Sequence, residues 1–334
     1  MKILYAIQGT GNGHIARAED IVPILQQHGE TDVFVSGAQA DIQLPYPVKY
    51  RSRGLSFYFG RKGGVDLVRT LRRNNARKIY KEIDRFPVEN YDIVINDFEP
   101  ISAWACKIRG IRCIALSHQA ALLSPLAPRP GKTDPLGYWI LHNYAPADAA
   151  VSFHFAQYDK NMFTPVIRAR VRNSKVEDKG HYTVYLPAYD DKKLLPLLAT
   201  FKSVKWQIFS KHTRKRYRYG DLTVQPVNNE EFTSSMATAT GVLCGAGFET
   251  PAEALFLRKK LLVVPMKTQY EQHCNAAALK QIGVPVMKKV RKKYLDDIGL
   301  WLGSETRVDV AYDDIVAQAV QQAVRVGEQQ SVNQ

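Results

Sequence analysis

The chain is poor in several things, and each shortage narrows the reading. It has four cysteines among 334 residues, Cys106, Cys113, Cys244 and Cys274. They sit in apolar or helical contexts without metal-ligand spacing, and read as reduced, mostly buried thiols of a reducing compartment. No apolar run approaches the roughly 20 residues that a membrane-spanning helix needs. The opening segment Met1–Ile7 is too short for a signal-peptide core and runs straight into a glycine-rich turn, so a cytoplasmic protein is expected. Acidic residues are the other shortage: 32 Asp and Glu against 46 Lys and Arg leave a net charge of +14. Nucleic acid, an anionic membrane surface and phosphorylated small molecules all attract such a charge. Its main runs, Lys211–Arg218, Lys288–Lys293 and Arg69–Lys81, lack the context of a DNA- or RNA-binding module, so no nucleic-acid partner is expected. For any single run a solvated basic surface is the plainer reading.

What is present is an ordinary globular composition, 45% hydrophobic and 23% charged, in a chain long enough for two cores, since one core stops growing near ~250–300 residues. Strand and helix patterns alternate from Lys2 to Phe153, including a long basic amphipathic helix at Val65–Phe86, and the alternation restarts at Thr183. That order implies two doubly wound α/β domains of Rossmann type facing across a cleft, with mostly parallel sheets. The expected boundaries are 1–156, 157–312, and a closing helix with a polar tail over 313–334. In such sheets ligands sit beyond the carboxyl ends of the strands, so the loops after strands carry the chemistry.

The first such loop is Gly9-x-Gly11-x-Gly13-His14. Glycines there let backbone approach a ligand, and the following helix offers free N–H groups to an anion. Residues 11–16 also fit a dinucleotide fingerprint. The acidic residue that should end the second strand is absent, however, since that strand ends Ser36-Gly37-Ala38-Gln39, and a nicotinamide cofactor is set aside. His14 stands beside a helix N-terminus whose field disfavours imidazolium, which suits a base near pH 7. A histidine that merely caps the turn is the bland alternative.

The second informative stretch is Val242–Leu279. A strand delivers Gly245-Ala246-Gly247 to a helix N-terminus, which suits a diphosphate. Glu253, one turn on, is placed to meet ribose hydroxyls. After the next strand, Pro265 opens a loop ending in Glu271-Gln272, side chains suited to sugar hydroxyls, with Asn275 in the helix beyond. The whole pattern of small-residue loop, Thr250-x-x-Glu253, strand–Pro265 and Glu271-Gln272-x-x-Asn275-Ala276 resembles the donor-binding region of GT-B glycosyltransferases. It is similar both to UDP-glycosyltransferases and to the N-acetylglucosaminyltransferase that makes the lipid intermediate of peptidoglycan. The resemblance implies that Gly245–Gly247 cradle the diphosphate of a sugar nucleotide, that Glu253 holds the ribose, and that Glu271 and Gln272 hold the transferred sugar. Two departures stand out: Cys244 replaces the histidine that many plant-type enzymes carry before this loop, and Glu249 would repel a phosphate unless it points away.

The N-terminal half supports the same resemblance. Asp92–Ala105 is similar to the segment where UDP-glycosyltransferases keep an aspartate that orients their catalytic histidine, here Asp97. Ser117-His118-Gln119 resembles a histidine-containing loop of the peptidoglycan enzyme, which implies a substrate contact for His118. The implied activity is inverting transfer of a hexose or N-acetylhexosamine from a UDP-type donor to a hydroxyl acceptor of unknown identity, lipid-linked or part of a cell-envelope glycan. His14 is the implied base and Asp97 its orienting carboxylate, with Gly11 and Gly13 lining the site. No metal or other cofactor is required, and no D-x-D lies in the right context. Gly13-His14-x-x-Arg17 also resembles sugar-nucleotide hydrolases, and non-hydrolysing 2-epimerases share the fold. A nucleotide-sugar-binding protein with a dead site is the non-enzymatic alternative. For the helix at Val65–Phe86 two readings stand level, a peripheral contact with an anionic membrane and an apolar side packed on its own sheet.

Overall fold

The computed structural model describes residues 1–10, 12–37, 44–54, 76–131 and 134–329. Gly11, and the first half of the basic helix expected at Val65–Phe86, therefore lie outside the described residues.

The first half runs β1 (Lys2–Gln8), α1 (Asn12–His28), β2 (Glu30–Ser36), β3 (Tyr50–Ser52), α2 (Ala76–Arg85), β4 (Ile93–Asp97), α3 (Pro100–Arg109), β5 (Cys113–Ser117), α4 (His118–Ala121), α5 (Pro135–Asn143), β6 (Ala149–Phe153) and β7 (Met162–Phe163). Its described strands form one parallel sheet in the order β3-β2-β1-β4-β5-β6-β7. The strands read as near-continuous apolar runs, Ile3 to Ile7 for example being fully buried, because helices cover both faces.

The second half runs α6 (Ala169–Arg172), β8 (His181–Tyr185), α7 (Asp191–Leu198), β9 (Lys205–Ser210), β10 (Tyr217–Tyr219), β11 (Leu222–Pro226), α8 (Asn229–Thr238), β12 (Gly241–Gly245), α9 (Glu249–Phe256), β13 (Lys260–Val264), α10 (Tyr270–Gln281), α11 (Leu295–Gly303) and α12 (Val316–Glu328). The second sheet has the order β10-β11-β9-β8-β12-β13. Within it β10 pairs antiparallel with β11 and the other pairs are parallel. The chain is thus the two-domain Rossmann-like α/β structure that the alternation implied.

Both sheets reverse strand order beside their first strand, and there the loops splay apart and leave room for a ligand. In the first sheet the reversal lies between β2 and β4, flanking β1, and Ile7 pairs with Asp97. In the second it lies between β9 and β12, flanking β8, and Cys244 pairs with Tyr185.

Three features differ from the sequence expectation. β7 extends the first sheet past residue 156. β10 arises inside the basic run Lys211–Arg218, as an edge strand whose three residues are exposed; such charged edges blunt unwanted pairing. The closing helix α12 leaves the second half and packs against α1 and the first sheet. Gly327 makes that docking close, since a Cβ there would meet Ile93 Cδ1 at 1.8 Å. Buried Val316, Ala319, Val320, Ala323 and Val324 supply the apolar stripe at helical spacing. The four cysteines are free and buried, and among the described residues no helix is long and apolar enough to cross a membrane.

Candidate active site

His14 opens α1 and Asp97 ends β4, so neighbouring strand ends bring the two side chains together. The ring Nδ1 donates to Asp97 Oδ1 at 2.9 Å. Asp97 is held by an unusual turn: Phe98 takes φ 57°, a left-handed conformation that side chains seldom adopt and that costs about 1–3 kcal/mol. The segment around it stabilises the turn. Asn96 Oδ1 accepts from Glu99 N at 2.8 Å, and Glu99 caps α3 by accepting from Ile101 N and Ser102 N. The Phe98 ring packs on Tyr144 with centroids 4.8 Å apart.

A residue that motif reasoning did not assign completes this cluster. Arg17, one turn beyond His14 and 2% exposed, places one nitrogen 2.7 and 2.8 Å from the two Asp97 oxygens. Its other terminal nitrogen donates to Glu249 Oε1 at 2.7 Å. Its place in Gly13-His14-x-x-Arg17 is the signal, since residues three apart share a helix face. Burial, Arg17 and His14 act together on Asp97, and the two cations outweigh burial to hold its carboxyl below the usual range. For His14, burial opposes the charged form, but Asp97 at hydrogen-bond distance outweighs it and the pKa is raised. The helix N-terminus was expected to depress it; a full carboxylate charge in contact exceeds the roughly half charge of a helix end.

The ring's other nitrogen faces Gln119, whose Nε2 lies 3.4 Å from His14 Nε2 and 3.3 Å from Glu271 Oε2. Gln119 is also a residue the motifs passed over in favour of its neighbour. His118 is 1% exposed and turns away from the cleft. Its Nδ1 lies 2.8 Å from Phe153 O, its Nε2 2.7 Å from Asn275 Oδ1, and its ring stacks on Phe248 at 3.8 Å. Burial pushes its pKa down to about 3. Asn275 in turn donates to Ala246 O at 3.2 Å. The substrate contacts expected of His118 and Asn275 are therefore replaced by a buried fastening between the halves, in which Ala246 takes part through its carbonyl alone.

The other expected residues line the cleft. Gly13, Gly247, Thr250, Glu253 and Gln272 border one cavity of about 700 Å³ between the halves. Gly245, Gly247, Thr250 and Gln272 also border a slot of about 100 Å³ walled by Tyr185 to Tyr189, Val264 and Met266. Gln272 Oε1 accepts from Met266 N at 2.9 Å, fixing the loop after β13. A Cβ at Gly247 would meet nothing within 4 Å, so this glycine leaves space rather than avoiding a clash. Glu249 turns away from the donor loop toward Arg17 and Gly13, which removes the repulsion its position threatened. Glu253 borders the cavity with both oxygens engaged by Arg168, one by Arg168 Nε and the other at 2.7 Å. Arg168 also donates to Asn229 Oδ1 at 2.6 Å. It lies in the stretch after Phe155, where no motif pointed to it. Glu271 sits beside Gln119, and burial raises its pKa.

Two Rossmann-like halves, a histidine–aspartate pair on one and a small-residue loop before a helix on the other, define the GT-B class of glycosyltransferases. The sequence model of glycosyl transferase family 1 matches residues 1–302, and the chain belongs to that family. Solved structures with this fold include the spinosyn forosaminyltransferase SpnP, at TM-score 0.56 and 12% identity over 98% of this chain and 95% of that one. MurG from Acinetobacter baumannii matches at TM-score 0.52 and 14% identity over 98% of each chain. UGT89C1 from Arabidopsis thaliana, solved with UDP, matches at TM-score 0.60 and 13% identity over 97% and 94%. Among curated proteins nothing matches the sequence. The chain is an enzyme that transfers a glycosyl group.

Proposed function

We propose that the enzyme moves a hexose or N-acetylhexosamine from a nucleoside diphosphate sugar, with uridine as its nucleoside, to an acceptor hydroxyl with inversion at the anomeric carbon. The observation that carries this reading is the His14–Asp97 pair, set directly behind Gly13, which borders the same cavity as Gly247 and Thr250 of the β12–α9 turn. With Nδ1–H bonded to Asp97, Nε2 presents its lone pair, which meets only a long 3.4 Å contact from Gln119, and takes the acceptor's proton as its oxygen attacks the sugar. Asp97 stays ionised, holds the tautomer and stabilises the imidazolium that forms.

The diphosphate leaves into the Gly245–Gly247 turn, where backbone N–H groups and the α9 N-terminus meet its growing charge. The slot beside Tyr185 and Val264 suits a flat base, and Glu271 and Gln272 stand at the sugar's side of the cleft. Glu253 reaches the ribose together with Arg168. In-line displacement by the acceptor inverts the anomeric centre. The enzyme works in the cytoplasm on a lipid-linked or cell-envelope acceptor, a placement supported by the +14 charge; flotation with anionic vesicles at low salt would fail if no membrane surface is involved.

Incubation with UDP-sugars, with and without hydroxyl acceptors, tests the chemistry through the products. A glycoside of inverted configuration is expected. Free sugar as the sole product would make the enzyme a hydrolase, and inversion at C2 with an intact diphosphate would make it an epimerase.

A further inference from the structure

We propose that Arg17 and Glu249 form a clasp across the cleft, through which closure of the donor half sets the basicity of His14. The proposal rests on the reading of His14 as the base, and it assigns Arg17 and Glu249 as positioning residues.

The clasp is built from both halves. Arg17 belongs to α1 and commits both terminal nitrogens, one to both Asp97 oxygens and 3.2 Å from His14 Nδ1, the other to Glu249. Glu249 belongs to the first turn of α9, the helix that follows the donor loop. Its carboxylate lies directly over Gly13, where a Cβ would sit 2.5 Å from Oε2. A side chain at position 13 would displace the Glu249 carboxylate from this position. A charge-assisted bond in this setting is short and strong, and a buried arginine left with one carboxylate fewer is costly.

The charges near His14 change when the halves part. Closed, the ring sees Asp97 and Glu249 as anions and Arg17 as a cation, a surplus of one negative charge. Opened, Glu249 leaves with α9, and Asp97 and Arg17 balance. Imidazolium is then less favoured and the base is weaker. The other titratable groups facing the ring do not reverse this. Tyr5 is held neutral by burial, His118 likewise, and Glu271, from α10, has its pKa raised by burial and also departs with the donor half. The enzyme thus has its strongest base only with the donor half in place, which limits attack by water in the open form.

The test is a titration of His14 by NMR of histidine-labelled protein, alongside pH profiles of kcat/KM. The His14 signal is assigned by its absence in His14→Ala. In Glu249→Gln the ring titration and the acid limb should both move down by roughly half to one pH unit; Glu249→Asp should restore part of the shift. In Arg17→Met they should move up, so that turnover is lost mainly at low pH. If Arg17→Met does not fold, the glutamate variants decide alone. Equal loss of activity at every pH with an unmoved His14 titration in Glu249→Gln would overturn the clasp. A His14→Ala enzyme with normal turnover would instead remove the base assignment, and the NMR titration would still judge the clasp.

Discussion

The chain builds the same local device twice and uses it for opposite purposes. After β1 and after β12 an apolar strand delivers small residues to a helix N-terminus beside a reversal of strand order. At the first turn the device holds ionisable side chains: His14, Arg17 and Asp97 lie within hydrogen-bond reach of one another. At the second, Cys244 is buried with its thiol pushed up by burial, Glu249 faces elsewhere, and Gly247 is bare. A helix N-terminus with open backbone is a binder of negative charge. On the proposed function, the same terminus filled by a histidine and its carboxylate takes a proton instead. Side chains, rather than topology, divide the labour.

The difference can be broken at either turn. The largest effect is expected at the first. His14→Ala should lower kcat/KM by about 10²–10⁴-fold while the product keeps its configuration; a turnover assay that finds less than a severalfold loss would show that the first turn carries no base. Next comes the ion pair that holds Glu253, the carboxylate proposed to meet the ribose. Arg168→Ala leaves Glu253 buried and unpaired, and thermal or denaturant unfolding should show a loss of about 3–5 kcal/mol. A negligible loss would mean that Glu253 is solvated and free for ligand.

The smallest effect concerns pH. The folded pKa of His14 is raised, so its contribution to stability is full below the unfolded value of about 6.5 and disappears as pH rises through the folded pKa. Unfolding midpoints should therefore fall slightly above pH 6.5 in the wild type and not in His14→Ala. Asp97 has the opposite sign. Its lowered pKa stabilises above the unfolded value of about 3.9 and ceases to do so as pH falls through the folded one.

Much of this was legible in the residues. Strand–helix alternation gave the two sheets, because period-coded burial is local. The turns at Gly9–His14 and Gly245–Gly247 could be read because small residues after an apolar strand have few other uses. The resemblance brought Asp97 to His14, and the structure joins them. What could not be read were contacts between surfaces that have no shared period. Arg17 and Glu249 stand 232 positions apart, each an ordinary helical charge. His118 and Asn275, 157 apart, looked like ligand contacts and are instead bonded to each other, while Gln119 reaches His14. Arg168 followed no motif at all. The sign of the His14 shift was missed because a helix terminus is visible in sequence and a touching carboxylate's strength is not.

The central claim is that the turn after β12 grips a nucleotide diphosphate, and calorimetric titration with UDP tests it most directly. A Cβ at Gly247 meets open space, so Gly247→Val should fold like the wild type yet obstruct the diphosphate. UDP should bind the wild type and His14→Ala with similar Kd, and Gly247→Val about tenfold more weakly or worse, a loss of about 1.4 kcal/mol. UDP binding equally well to Gly247→Val, or not binding the wild type at all, would contradict the account.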